Sequence, residues 1–206
     1  MSMFTEAPFS LFLILINGMI GLYSLNMDPS LVDRMALTPS RIREHREYYR
    51  LITGGFVHAS FGHLAFNMIT LFYFGPFLEL TLGSVSFLLI YFGSSLTASA
   101  MSYFIHRSNA NYSAVGASGA ISGLVFAYCL FNPFRQLILF FVVPMPAWLF
   151  AVAFVGFSIY AMRKKLAGGL GRIAHEAHLG GAIGGVLFTI LVEPRAIQIF
   201  LSQMGI

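Results

Sequence analysis

Apolar residues run through this chain in six long stretches, and polar residues collect between them. The stretches fall at about residues 8–25, 60–81, 84–104, 118–131, 147–162, and 175 to 192 or beyond. None alternates polar and apolar with a period of two, as the strands of a membrane barrel do, so each is read as a helix. About 20 helical residues cross a hydrocarbon core of about 30 Å, and most of the stretches reach or approach that length. The fourth is short for a span, so its N-terminus is expected to start below the membrane surface, and Pro133 helps to end it. After the first stretch comes a long loop, "NMDPSLVDRMALTPSRIREHREYYRLITGGF". It mixes charges with Tyr48, Tyr49, Leu51 and Ile52, which suits a segment lying among lipid headgroups. "RQLILFFVVPMP" leads into the fifth helix and the basic loop "RKKLAGGLGR" into the sixth. No internal repeat or low-complexity tract interrupts the pattern. The expectation is an all-α, six-helix polytopic membrane protein, with residues 1–206 forming one domain.

Composition agrees with that class. The chain is 57% hydrophobic and 10% charged, against about 25% charged in soluble domains. A single cysteine, Cys129, excludes an internal disulfide and a cysteine-rich metal site. The start "MSMFTEAPFS" lacks the basic segment and small-residue cleavage site of a signal peptide, so the first helix is expected to be retained. No basic stripe interleaves with aromatics, and nucleic acid is not expected as a partner. With six spans both termini share a side, which holds Arg135 and Arg195 alone among the 12 Lys and Arg residues. The charge rule by itself would put the loops carrying the other ten in the cytoplasm and both termini outside.

Few ionisable or amide groups fall within the apolar stretches, and each is costly at membrane depth. His58, His63 and Asn67 lie in "VHASFGHLAFN", with His63 and Asn67 four residues apart and so on one helix face. Glu79 closes that helix, and His175, Glu176 and His178 open the last one. Ser118, within "GASGAISG", opens the fourth. Singly, each has a structural reading: a membrane His or Asn bonds a neighbouring helix, and Ser is a small packing residue. Glu79 and Arg50 read as structural, capping backbone or pairing at the interface. Together the groups supply the parts of acyl transfer. A serine hydroxyl needs a base within hydrogen-bond reach, which His178 could be. A developing oxyanion needs fixed donors, which His63, Asn67 and the Ser118 amide could be. The N-terminus of a helix also favours negative charge. Gly181 and Gly185, in small-xxx-small spacing, give the last helix a flat face. The fourth helix has Gly119, Ala120, Ser122 and Gly123 to meet it. Contact between those faces would bring Ser118 and His178 together. "GASGA" lacks the second glycine of a nucleophile elbow, and "HEAH" is one residue short of H-E-x-x-H, so no metal site is assigned.

In this order the residues resemble the rhomboid family of intramembrane serine proteases. The resemblance spans residues about 49 to 185: Tyr49–Arg50, His58, "GHLAFN", Glu79, "GASG" at 116–119 and "AHLGGAIGG" at 177–185. It implies Ser118 as nucleophile and His178 as general base, with His63 and Asn67 lining the oxyanion hole. Gly116 and Gly119 would shape the catalytic loop, Gly181 and Gly185 would seat the sixth helix on the fourth, and Arg50 and Glu79 would be structural. It also implies transmembrane protein substrates in the lipid bilayer, admitted past the fifth helix and a cap formed by "RKKLAGGLGRI". No cofactor is required, and a bacterial inner membrane is the expected location. Two features depart from the family pattern. Ser122 stands where many members carry an aromatic that stacks on the histidine, so Tyr112, Phe126 and Glu176 are alternatives for orienting His178. The family's topology places both termini in the cytoplasm, opposite to the charge count, and is the one adopted. The rival readings are a catalytically silent membrane-protein-binding module and a small channel or transporter. The polar groups gather toward one membrane face, which argues against a pore.

Overall fold

The computed structural model describes residues 6–139, 142–164 and 174–206. In chain order, α1 is Pro8–Asn26, α2 Ser30–Met35, α3 Pro39–His45, α4 Arg50–Thr53, α5 Phe61–Leu82, α6 Ser84–His106 and α7 Ser118–Phe131. There follow β1 Gln136–Leu139, β2 Val143–Pro146, α8 Ala147–Arg163, α9 His175–Val192 and α10 Ala196–Met204. Four of these, α1, α5, α6 and α9, are long and apolar enough to cross a membrane. The apolar helices α7 and α8 are shorter, at 14 and 17 residues. At 1.5 Å per residue, α7 extends only about 21 Å.

Each long helix buries one stripe. On α1 it is Ser10, Leu13, Asn17, Gly21 and Ser24, spaced three or four apart, while Phe12, Leu15 and Met19 stay exposed for lipid. On α5 the stripe includes Leu64, Asn67, Leu71, Gly75 and Leu78, and α1 packs along it. The centre of the bundle is α7, most of whose residues are buried, clasped by α6 and α9. At the end of α5, Glu79 is a buried carboxylate. It accepts from the amides of Phe9 (3.1 Å) and Ser10 (2.7 Å) and from the hydroxyls of Ser10 and Ser84 (both 2.8 Å). Those amides belong to the first turn of α1, where helix geometry supplies no acceptor.

The long loop after α1 is folded and contains three short helices. Arg50 is its knot: buried, it donates to the carbonyls of Asp33 and Ala36, both at 2.8 Å, and pairs with Glu47. Glu47 also pairs with Arg41, and these two partners bring its carboxyl down to about 2.

Two elements were not expected. Within "RQLILFFVVPMP", β1 and β2 pair antiparallel, with Gln136 opposite Pro146 and Leu139 opposite Val143. Pro144 and Pro146 cannot donate, which is tolerated because a two-stranded ribbon has only edges. The amides of Ala147 and Trp148 then donate to Arg135 and Pro133 carbonyls, so the strand pair seats the start of α8. The other is α10. The sixth apolar stretch ends at Val192, before Glu193–Pro194, and a separate helix folds back across the end of α7. There Gln203 Nε2 donates to the Phe131 carbonyl at 2.7 Å, satisfying one orphan acceptor of the α7 terminus.

Candidate active site

The backbone leading into Ser118 is held from one side by the folded loop. Leu37 and Ala114 exchange two amide–carbonyl bonds at 3.0 Å, and the Gly116 amide donates to the Gly54 carbonyl at 2.9 Å. The Ala117 amide makes a long contact of 3.5 Å with His58 Nε2. For that nitrogen to accept, the ring must be neutral, and burial, with His63 nearby, brings its pKa down to about 4. Gly116 has φ +111°, and a Cβ there would sit 2.4 Å from His63 Cε1. Both conformation and space therefore demand glycine, and its bare backbone lets the His63 ring lie against the loop. Ser118 follows as the first residue of α7, where amides lack helical acceptors and the dipole favours negative charge.

α9 supplies the other half. A methyl built on Gly181 would lie 1.9 Å from the Gly119 carbonyl oxygen, and one on Gly185 2.2 Å from that of Gly123. The two backbones therefore touch along this seam. Gly180 and Gly184 form a second close face toward Met101, Thr97 and Ser94 of α6. With α9 so seated, His178 Nε2 lies 2.7 Å from Ser118 Oγ. Both side chains are half-buried.

His63 and Asn67 stand one turn apart on α5. The His63 ring meets that of His58 edge to face, with centroids 5.2 Å apart. Asn67 is buried, and its Nδ2 has no hydrogen-bond partner among the described residues. Such an orphan donor is expensive in a folded interior and calls for an explanation. Arg50 and Glu79 lie outside this constellation, in the loop knot and at the α1 terminus already described.

Among the described residues two rings lie beside His178: Phe154 of α8, with centroids 6.2 Å apart and planes 26° from parallel, and His175, edge to face at 6.4 Å. Of the three expected candidates, Phe126 meets Phe154 edge to face at 5.4 Å, while Tyr112 bonds Glu176. No motif singled out Phe154, one of 22 phenylalanines in the chain. His175 packs against Phe157 of α8, with ring centroids 5.3 Å apart. Among the described residues no three His, Cys, Asp or Glu side chains are grouped to hold a metal ion. The expected cap, "RKKLAGGLGRI", falls mainly on residues 165–173, outside the described residues.

The family profile of the Rhomboid domain matches residues 45–195. The chain is 34% identical over 150 residues to the rhomboid protein YdcA of Bacillus subtilis, covering 70% of this chain and 67% of that one. It is 32% identical over 142 residues to Rhomboid protein 1, mitochondrial, of Saccharomyces cerevisiae, covering 67% and 40%. It is 27% identical over 150 residues to Rhomboid protease GlpG of Haemophilus influenzae, covering 73% and 72%. The chain thus spans most of the two bacterial relatives and less than half of the yeast one.

Proposed function

The chain belongs to the rhomboid family, and from that premise we propose that it is an intramembrane serine endopeptidase in which Ser118 is the nucleophile and His178 the general base. The observation that carries this reading is the 2.7 Å bond between Ser118 Oγ and His178 Nε2, from residues 60 apart in sequence. A serine hydroxyl is a weak nucleophile until a base lies within such reach. In the reaction, Ser118 Oγ attacks the substrate peptide carbonyl while His178 takes its proton. The oxyanion is held by the Ser118 amide, His63 and Asn67, which accounts for the orphaned Asn67 Nδ2: its acceptor is the transition state. His178 then protonates the leaving amine, and water hydrolyses the acyl-enzyme with His178 again as base.

In this reading all six apolar helices belong to one membrane domain covering the chain. α7 starts below the surface because it is too short to reach it. Substrates are membrane proteins cut within or beside a transmembrane segment, and a bacterial inner membrane is the proposed location. Ser122 leaves open a silent membrane-protein-binding module, but Phe154 supplies a ring beside His178 that the Ser122 position lacks.

The test uses purified protein in liposomes with single-span substrates and a fluorophosphonate probe. Wild type is expected to cleave and to be labelled, and Ser118→Ala to do neither while remaining folded. Labelling that persists in Ser118→Ala, or a folded wild type that neither cleaves nor labels, overturns the assignment.

A further inference from the structure

Two residues before His178, the Glu176 carboxylate is buried at the head of α9. Its Oε1 accepts from Tyr112 Oη at 2.6 Å and lies 3.0 Å from His106 Nε2. The His106 and Tyr112 rings are stacked flat, with centroids 3.7 Å apart and planes 6° from parallel. One oxygen thus joins three segments: the C-terminus of α6, the loop that delivers Ser118, and the first turn of α9. None of these side chains has a part in the proposed chemistry, yet a carboxylate is costly to bury and needs its partners there.

The cluster lies at the head of α9, ahead of its closest glycine contacts. The glycine seams that fix α9 begin at Gly180, C-terminal to His178. On the N-terminal side, among the described residues, no side chain caps the helix at Ala174; the Glu176 cluster and the His175–Phe157 pair make side-chain contacts there, and the Ala177 carbonyl approaches Gly119. His178 is therefore held between a seam on one side and a pin on the other. The Ser118 loop has the same arrangement: Leu37, Gly54 and His58 hold residues 114–117, and Tyr112 ties the preceding turn to α9. Burial, and then the adjacent Glu176, push the Tyr112 phenol well above its usual range, so it stays protonated as a donor.

We propose that Glu176, with Tyr112 and His106, is a positioning cluster that locks the head of α9 to the Ser118 loop and so sets the distance within the Ser118–His178 pair. This rests on the serine-protease reading for its catalytic consequence, though not for its structural one. The bond is to a carboxylate oxygen, and charge-assisted bonds are roughly twice as strong as neutral ones. A Gln amide oxygen still accepts from Tyr112, whereas Ala leaves the Tyr112 hydroxyl without this acceptor.

The experiment compares Glu176→Ala, Glu176→Gln and Tyr112→Phe with wild type in liposomes. It reads the fluorophosphonate labelling rate, kcat and KM on a single-span substrate, and amide exchange over residues 112–119 and 174–180. Glu176→Ala is expected to lose on the order of 10- to 100-fold in labelling rate and kcat with KM unchanged, the scale set by a misplacement of about 1 Å. Exchange should rise in both segments together. Tyr112→Phe should lose less, and Glu176→Gln should stay within a few-fold of wild type. The proposal is overturned if folded Glu176→Ala labels and turns over like wild type, if Glu176→Gln is as damaged as Glu176→Ala, or if KM rather than kcat moves. Should Glu176→Ala not fold, Tyr112→Phe decides by the same criteria. Should wild type show no labelling, the protease reading fails, and exchange alone decides the pin: a joint rise upholds it and no change overturns it.

Discussion

Adding one methyl group to Gly181 is the sharpest available test of how the two halves of the site are held. The added carbon would lie 1.9 Å from the Gly119 carbonyl oxygen, 2.7 Å from its carbonyl carbon and 3.0 Å from its Cα, where ordinary contact begins at 3.4 Å. These are backbone atoms and cannot swing aside, so α7 and α9 must part locally by roughly 1.5 Å. Gly119 adjoins Ser118, and Gly181 is one helical turn beyond His178. Passed to the pair, that displacement takes a 2.7 Å bond beyond the distance at which a hydrogen bond survives. Gly181→Ala should therefore reduce kcat by about 10²-fold and destabilise the fold by about 1–3 kcal/mol, as overpacking does. The assay is cleavage of a single-span substrate together with fluorophosphonate labelling and thermal unfolding. Gly18→Ala on α1 is the control, since a methyl there meets nothing within 4 Å. A folded Gly181→Ala that cleaves within about threefold of wild type would show that the seam does not set the geometry of the pair.

Other outcomes follow from the same structure. Asn67→Leu should slow cleavage by about 10²–10³-fold, the usual loss for one oxyanion donor. Because Asn67 Nδ2 is buried without a partner, its melting temperature should not fall and should rise if the leucine packs well; a large drop would mean that the amide is satisfied in the resting protein. Glu79→Ala should cost about 2–4 kcal/mol of stability, since four donors lose a charged acceptor. The folded fraction should still label, and intact stability would refute the capping role. His58 binds its proton near 4 in the fold against about 6.5 when unfolded. The unfolded chain thus takes up more protons between these values, and stability falls as pH drops from 6.5 toward 4. The slope is at most about 1.4 kcal/mol per pH unit from this group, and the loss is complete below 4. Melting curves across that window should be flatter in His58→Gln than in wild type.

The helices were legible because their signal is local. Apolar length placed the six stretches within a residue or two of Pro8–Asn26, Phe61–Leu82, Ser84–His106, Ser118–Phe131, Ala147–Arg163 and His175–Val192. Small-residue spacing in "GASGAISG" and "HLGGAIGG" pointed to a helix seam, and with it to Ser118 beside His178. The strand pair was hidden because "QLIL" and "VPMP" are too short to show a period of two. The folded state of the first loop depends on Arg50 finding carbonyls 14 and 17 residues earlier, which no spacing rule encodes. Phe154 was illegible for another reason: in a helix with several phenylalanines, nothing local distinguishes the ring that meets His178. The partnership of Glu176 with Tyr112 and His106 spans 64 and 70 residues, so only the folded chain reveals it.

The carboxylate at position 79 carries a consequence for biogenesis. The amino-terminal helix leaves the ribosome with its leading amides open, and their acceptor is made about 70 residues later. That acceptor is itself an unwelcome passenger for a helix entering lipid alone. Each segment is thus a poor solitary guest of the membrane, and each cures the fault of the other. Insertion of the pair should then be concerted, with the first helix waiting at the translocon until the second arrives.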